Sequence, residues 1–374
     1  MIGSDRIGGG RVAVTLDEVA EAAGVSKSTA SRVLSGSSRV SDRTKRAVQS
    51  AAERLGYRPN RIASGLRTRR SNLIGLVITN LVNASFHTIT GVLQQRLDEC
   101  GYQVLLCVTD SDPVRERRYL DMLLDHRVDG LIIVGTGDNT ATVREVSAAG
   151  IPVVNLMRTP DGAPGDSVMA GDREGAELAV QHLLGLGHRR IAFIGGPASV
   201  DSGRDRYAGF AAALGAAGLE PDPVLCARGP YTVPFGAEAV LRVMGADDPP
   251  TALYSANHEA TFGALGSLVQ LGVRVPEQLS LVCHEEAPWF PYWHPPITVV
   301  DNGARDLGEL AAEQILRRID SRADSSSGNG SGSSTGNGDP GNGDTGPEGV
   351  GRLIRVGSRL VVRSSTTAPR LPGG

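Results

Sequence analysis

The side chains best suited to recognising another molecule are concentrated in VTLDEVAEAAGVSKSTASRVLSG, residues 14–36. Arg32 carries a planar fork of donors that fits the O6 and N7 edge of guanine, and Lys27 and Ser28 fall one helical turn earlier on the same face. A helix presenting that face can enter a DNA major groove about 12 Å wide and hydrogen-bond base edges. On an unspecialised helix the same face would simply be solvated. Catalytic signatures are missing: the chain holds no G-x-x-x-x-G-K-S/T, no G-x-G-x-x-G and no G-x-S-x-G after a strand, and no H-E-x-x-H. The pair His284-Glu285, at the end of a predicted strand, is the nearest approach to an acid/base dyad, and no enzyme is expected. The cysteines are Cys100, Cys107, Cys226 and Cys283, with no C-x-x-C pair and no His at zinc-ligand spacing. They read as reduced, mostly buried thiols, and neither a metal site nor a cofactor is expected.

Three short helices over residues 15–57 must position the recognition face. Thr15 and Glu18 have capping-box spacing, and Leu16, Val19, Ala20 and Ala23 mark one apolar face up to Gly24. Ser26 can cap a second helix whose Ala30, Val33 and Leu34 pack while Lys27, Ser28, Ser31 and Arg32 stay outside. Ser41 caps a third, with Ala47, Val48, Ala51, Ala52 and Leu55 at helical spacing. Two helices joined by a short glycine turn, with a supporting third, match a helix-turn-helix unit.

From Leu73 onward the pattern changes to repeated strand and helix. LIGLVIT, QVLLCVT, GLIIVG, PVVNLM, RIAFIGG, ALYSAN and LSLVCHE read as buried strands, each followed by a helix or a loop. Such alternation gives parallel sheets, and its extent exceeds one doubly wound sheet, so two α/β lobes are expected with a ligand cleft between them. Residues 321–349 break the pattern with 9 Gly and 7 Ser, too polar to bury a core, and are expected to form a disordered insertion before RLIRVG and RLVVRSST resume the fold.

The charge is divided along the chain. Through Asn72, Lys and Arg number 14 against 6 Asp and Glu; beyond it they number 24 against 35, leaving −3 over 374 residues. A basic head on an acidic body suits a polyanion partner for the head alone. No apolar run approaches the length of a membrane span, and MIGSDRIGGGRVAV lacks the apolar stretch of a secretory signal, so a cytoplasmic protein is expected.

The run VTLDEVAEAAGVSKSTASRVLSG, followed by VSDRTKRAVQSAAERLGYRPNRIASGL, resembles the DNA-binding head of the LacI/GalR family of transcriptional regulators. LLGLGHRRIAFIGGP, RDRYAGFAAAL, HPPIT and RLVVRSST resemble that family's ligand-binding core, which is similar to periplasmic sugar-binding proteins. The resemblance implies a disordered start at 1–13, a helix-turn-helix domain at 14–59, a hinge helix or linker at 60–70 and a two-lobed effector-binding and dimerisation domain at 71–374. It places Lys27, Ser28 and Arg32 on bases and Ser26, Thr29, Ser31 and Arg39 on phosphates. In NRIASGL it implies a hinge helix that forms on DNA, with Asn60 at its start and Leu66 wedged into the minor groove. Leu66 would otherwise be a linker residue.

For the effector cleft the resemblance singles out Asn83, Phe86, Arg206, Tyr231, Asn257 and Glu285. Arg206 can donate a bidentate pair and Glu285 can accept from vicinal hydroxyls; the two would equally serve as a structural ion pair at the lobe interface. Several positions depart from the family pattern: Asn83-Ala84-Ser85-Phe86 stands for N-P-F, Met157 for a commonly acidic residue, His258 for Asp, and Cys283-His284-Glu285-Glu286 for G-Y-D-D. His258 or His284 would add pH sensitivity or metal binding, although a lone His is more often only hydrogen-bonded. The implied function is a ligand-responsive, sequence-specific repressor. Its partners would be a near-palindromic operator in double-stranded DNA and a carbohydrate-like effector, in a homodimer or a tetramer without membrane contact. A solute receptor without regulatory output would explain the body and leave the basic head unexplained.

Overall fold

The computed structural model describes residues 14–34, 40–57, 70–327 and 351–370. The chain divides into two compact units, Met1–Ser71 and Asn72–Gly374.

In the head, α1 (Leu16–Ala22) opens on a complete capping box: the Glu18 amide donates to Thr15 Oγ1 at 3.3 Å and the Thr15 amide to Glu18 Oε2 at 2.7 Å. The turn that follows needs Gly24 at φ 64°, a conformation open to glycine without steric cost. Ser26 Oγ then accepts from the Thr29 amide at 3.2 Å, which caps α2 (Lys27–Leu34) as expected. Ser41 caps α3 (Asp42–Leu55), which Gly56 closes at φ 66°. Val19, Ala20, Ala30, Val33, Val48, Ala51 and Ala52 form the core. Two details differ from the sequence expectation. Ala47 is exposed, because the buried stripe of α3 runs through Val48, Ala51, Ala52 and Leu55 and Ala47 lies one residue off it. Ser31 is half-buried and not fully outside.

The body runs β1 (Leu73–Ile78), α4 (Ala84–Glu99), β2 (Gln103–Val108), α5 (Pro113–Asp125), β3 (Gly130–Ile133), α6 (Thr140–Ala148), β4 (Val153–Leu156) and β5 (Asp166–Ala170). It continues with α7 (Asp172–Gly185), β6 (Ile191–Gly195), α8 (Asp201–Ala216), β7 (Cys226–Arg228), α9 (Val233–Met244), β8 (Ala252–Ser255), α10 (His258–Gln270) and β9 (Ser280–His284). A 3₁₀ turn (Phe290–Tyr292), β10 (Thr298–Asp301), α11 (Ala304–Ser327), β11 (Leu353–Val356) and β12 (Arg359–Val361) complete it. The strands form two sheets, β11-β5-β4-β3-β1-β2 and β12-β10-β9-β8-β6-β7, so two α/β lobes stand as expected. Pairing is parallel except for β12, which runs antiparallel to β10 at an edge. The chain crosses between lobes at residue 171, at 302–303 and at 357–358, so RLIRVG and RLVVRSST, adjacent in sequence, join different sheets. β5, β7 and β10 carried no strand assignment from sequence; β2, expected to be buried, is an edge strand with Leu106 exposed.

α11 continues through Ser327 and so takes in the first seven residues, 321–327, of the expected insertion. The reason is cooperative: once nucleated, a helix gains one backbone hydrogen bond for each further residue and needs no apolar partner to extend. Residues 328–349 of the expected insertion, residues 1–13 and the expected hinge helix from 60 to 69 lie outside the described residues. The chain leaves for the insertion and returns from it beside one buried carboxylate. Asp166 accepts from Arg317 at 2.9 Å and Arg318 Nε at 2.8 Å on α11, and from the Arg352 amide at 2.8 Å beside β11.

Candidate functional site

On α2 the side chains of Lys27, Ser28 and Arg32 are exposed, while Ala30 and Val33 anchor the opposite face in the head's core. Lys27 Nζ lies 2.8 Å from Asp17, but both side chains are 63% exposed, so the pair is weak and free to exchange for another anion. The Ser26 and Thr29 hydroxyls sit 2.9 Å apart at the N-terminus of α2, where the helix dipole and free amides favour phosphate. Arg39, Asn60 and Leu66 lie outside the described residues.

In the body, the expected effector residues converge where the lobes meet. Asn83 caps α4, its Oδ1 accepting from the Ser85 amide at 2.9 Å and the Phe86 amide at 3.2 Å, which turns its Nδ2 toward Glu285 Oε2 at 3.2 Å. Asn257 does the same for α10: Oδ1 accepts from the Glu259 and Ala260 amides, and Nδ2 donates to Glu285 Oε2 at 3.0 Å. His258 Nδ1 completes that oxygen at 2.9 Å. The other oxygen, Oε1, accepts from Arg206 at 2.9 Å. Glu285 holds this position at φ 78°, a left-handed conformation that costs a non-glycine residue about 1–3 kcal/mol and survives only where the surroundings enforce it.

Arg206 is 1% exposed and fully engaged by the protein: Nε to Asp172 at 2.7 Å, one amino group to the Ala256 carbonyl at 2.6 Å, the other to Glu285. Burial works against its charge, but Asp172 and Glu285 outweigh burial and hold its pKa well above the ordinary value. Burial pushes both carboxyls up, and Arg206 with the neighbouring His residues brings them below the usual carboxylate range. His284 is held neutral, chiefly by burial. Burial also keeps the Tyr254 phenol protonated, so it donates to His284 Nδ1 at 2.7 Å and leaves Nε2–H facing Asp172 Oδ1 at 3.3 Å. For His258 burial disfavours charge, while Glu285 favours it and lifts the pKa.

Tyr231 stands beside this network, its ring centroid 5.8 Å from the Arg206 guanidinium carbon and its hydroxyl 3.3 Å from Ser202 Oγ. Phe86 does not join the group: it is buried in the apolar core of the first lobe. Met157 is buried in that core too, at φ 58°. Asp172, the partner of Arg206, and Asp201, at the lobe interface, were not singled out from sequence. Asp201 accepts from the Thr159 amide at 2.8 Å, and with Asn83–Glu285 and the Ala84 amide 3.2 Å from His258 Nε2 it joins lobe to lobe. Each opens or precedes a helix, which is no signal of a distant partner.

Among the described residues no group of His, Cys, Asp and Glu could hold a metal ion, and no helix is long and apolar enough to cross a membrane. All four cysteines are free: Cys107 and Cys283 are buried, Cys226 is half-buried and Cys100 exposed. Burial pushes the Cys107 and Cys226 thiols up to about 11, away from the reactive thiolate.

Residues 15–60 match the family of bacterial regulatory proteins of lacI type, and residues 180–329 match a periplasmic binding protein-like domain. The HTH-type transcriptional regulator DegA of Bacillus subtilis (strain 168) is 31% identical over 303 residues, 80% of this chain and 89% of that protein. The HTH-type transcriptional repressor PurR of Haemophilus influenzae (strain PittEE) is 31% identical over 308 residues, 82% of this chain and 91% of that protein. Among solved structures, the lac repressor dimer bound to operator and the anti-inducer ONPF shares 28% identity and a TM-score of 0.77, covering 95% of this chain and all of that one. The transcriptional regulator CelR in complex with cellobiose shares 28% identity and a TM-score of 0.66, covering 94% and 99%.

Proposed function

The chain belongs to the LacI family of bacterial regulatory proteins, and from that premise we propose that it is a cytoplasmic, ligand-responsive repressor. It binds a near-palindromic operator as a dimer and releases or takes up DNA when a small carbohydrate-like molecule enters the cleft. The observation that carries this reading is the junction of the lobes. Polar contacts from both lobes meet on the single carboxylate of Glu285, so a ligand that competes for it alters how the lobes are held. The basic head weighs against a solute receptor without regulatory output. Two heads are required because one short helix reads too few bases, and a two-fold dimer asks for a two-fold operator. The lac repressor is a dimer on its operator, and CelR was solved with a disaccharide; both support the extension to this chain.

Coupling between cleft and head is reciprocal: an effector that weakens operator binding tenfold itself binds about tenfold more weakly to the operator complex, about 1.4 kcal/mol. Arg32 supplies direct readout from the outer face of α2. Arg32→Ala is therefore expected to lose about 1–3 kcal/mol on the operator and little on random DNA, measured by fluorescence anisotropy at fixed salt. Equal losses on both DNAs would reduce Arg32 to a phosphate contact.

A further inference from the structure

Arg158 follows β4 at the lobe junction, half-buried, with Met157 before it in the left-handed region and the Thr159 amide after it bonded to Asp201 of the second lobe. A guanidinium offers five N–H donors, yet this one makes a single contact among the described residues, a long 3.5 Å hydrogen bond to the Gly135 carbonyl. No carboxylate lies within ion-pair distance of it among the described residues. The two acidic side chains near enough to act on its charge are already engaged. Glu116 is bonded to the Thr136 amide at 2.8 Å, the Thr136 hydroxyl at 2.9 Å and Asn139 at 3.0 Å, and Asp201 to Thr159 and Arg204. The phenol of Tyr231, beside Arg206, acts on the same guanidinium. The fully buried cation at the junction, Arg206, is by contrast matched by Asp172 and Glu285.

We infer that Arg158 is the anion-binding element of the cleft, and that the effector is an acid, carrying a carboxylate or a phosphate that pairs with Arg158 beside Tyr231. This rests on the cleft being the effector site. A half-buried guanidinium without a partner is costly to the free protein, and burial lowers its pKa accordingly. An oxyanion bound in bidentate fashion removes that cost and forms short, charge-assisted hydrogen bonds. The opposite lobe supplies the remaining polarity, since any hydroxyls of the same ligand can compete for Glu285.

The test uses the full chain and matched probes at constant ionic strength: inorganic phosphate, glucose 6-phosphate, gluconate and glucuronate, with glucose and cellobiose as neutral members. Melting temperature and operator anisotropy are read for wild type, Arg158→Gln, Tyr231→Ala and the exposed control Arg189→Gln. At least one acid, at up to about 50 mM, is expected to raise the melting temperature of wild type and of Arg189→Gln. Arg158→Gln should bind it at least about tenfold more weakly, while its own melting temperature without ligand stays level or rises. Phosphate-bearing and carboxylate-bearing probes separate the two sources of the anion. Acid binding that survives Arg158→Gln overturns the inference, as does silence from every acid including inorganic phosphate, or a drop in the ligand-free melting temperature of Arg158→Gln. A neutral ligand lost in Tyr231→Ala but retained in Arg158→Gln overturns the acid while keeping the cleft. A ligand that changes operator affinity and is indifferent to both substitutions removes the cleft itself.

Discussion

The two lobes share one strand order, and in each the fourth strand along the chain is followed by a non-glycine residue in the left-handed region: Met157 at φ 58° after β4, Glu285 at φ 78° after β9. Each backbone is locked the same way, by its amide donating 2.8 Å across to the neighbouring strand, to Val168 and Val300 respectively. The side chains part company there. In the second lobe the turn presents a buried carboxylate whose two oxygens take four hydrogen bonds from Asn83, Arg206, Asn257 and His258. In the first, the left-handed residue turns into the apolar core and the next residue, Arg158, has its donors almost unused. The same backbone device thus serves to close a charge network on one side and to leave a charge open on the other.

The largest effect should follow from breaking the closed side. Arg206→Ala leaves Asp172 and Glu285 buried without their shared cation, and a loss of about 3–5 kcal/mol is expected in urea unfolding. The family resemblance also makes Arg206 a ligand donor, and the experiment separates the roles. A ligand donor without structural duty would leave stability within about 0.5 kcal/mol of wild type. Adding Glu285→Gln to the Arg206 variant should restore part of the loss, because the two share one interaction.

A smaller effect is carried by pH. His258 has its pKa raised in the folded protein, so its contribution is complete below the unfolded value of about 6.5 and is lost as pH rises through the folded value. His182, His188 and His284 are lowered, chiefly by burial, and act with the opposite sign below about 6.5. The melting temperature should therefore decline above about pH 6.5, and His258→Gln should flatten that limb. An undiminished slope in the variant would assign the titration to another group.

The smallest effect concerns neither turn. Replacing residues 328–349 by a short Gly/Ser link should leave the melting temperature and operator affinity nearly unchanged. The departing helix and the returning strand are both held by Asp166, and loop closure varies by only about 0.6 kcal/mol per doubling of length. A marked loss of either would show that the segment binds something.

Much of the head was legible because its determinants are local. Thr15 and Glu18 lie three residues apart, Ser26 and Ser41 each reach an amide three residues on, and Gly24 and Gly56 stand where the chain turns left-handed. Caps and turns are decided within one helical turn of sequence, so residue type and spacing suffice. The long apolar strands were legible for the same reason. DSVMA and CAR were not: short, partly polar segments become strands only because a neighbouring strand offers its free edge. Which sheet each of the last two strands joins was likewise decided by pairing. The candidate site lies at the far end of this scale. Asn83 and Glu285 are 202 residues apart, Arg206 and Asp172 34, and whether Arg206 or Arg158 finds a carboxylate depends on which strand ends the two sheets bring together. Sequence specified the charged side chains; tertiary structure decided which were neutralised by the protein, because a buried charge is settled by neighbours in space.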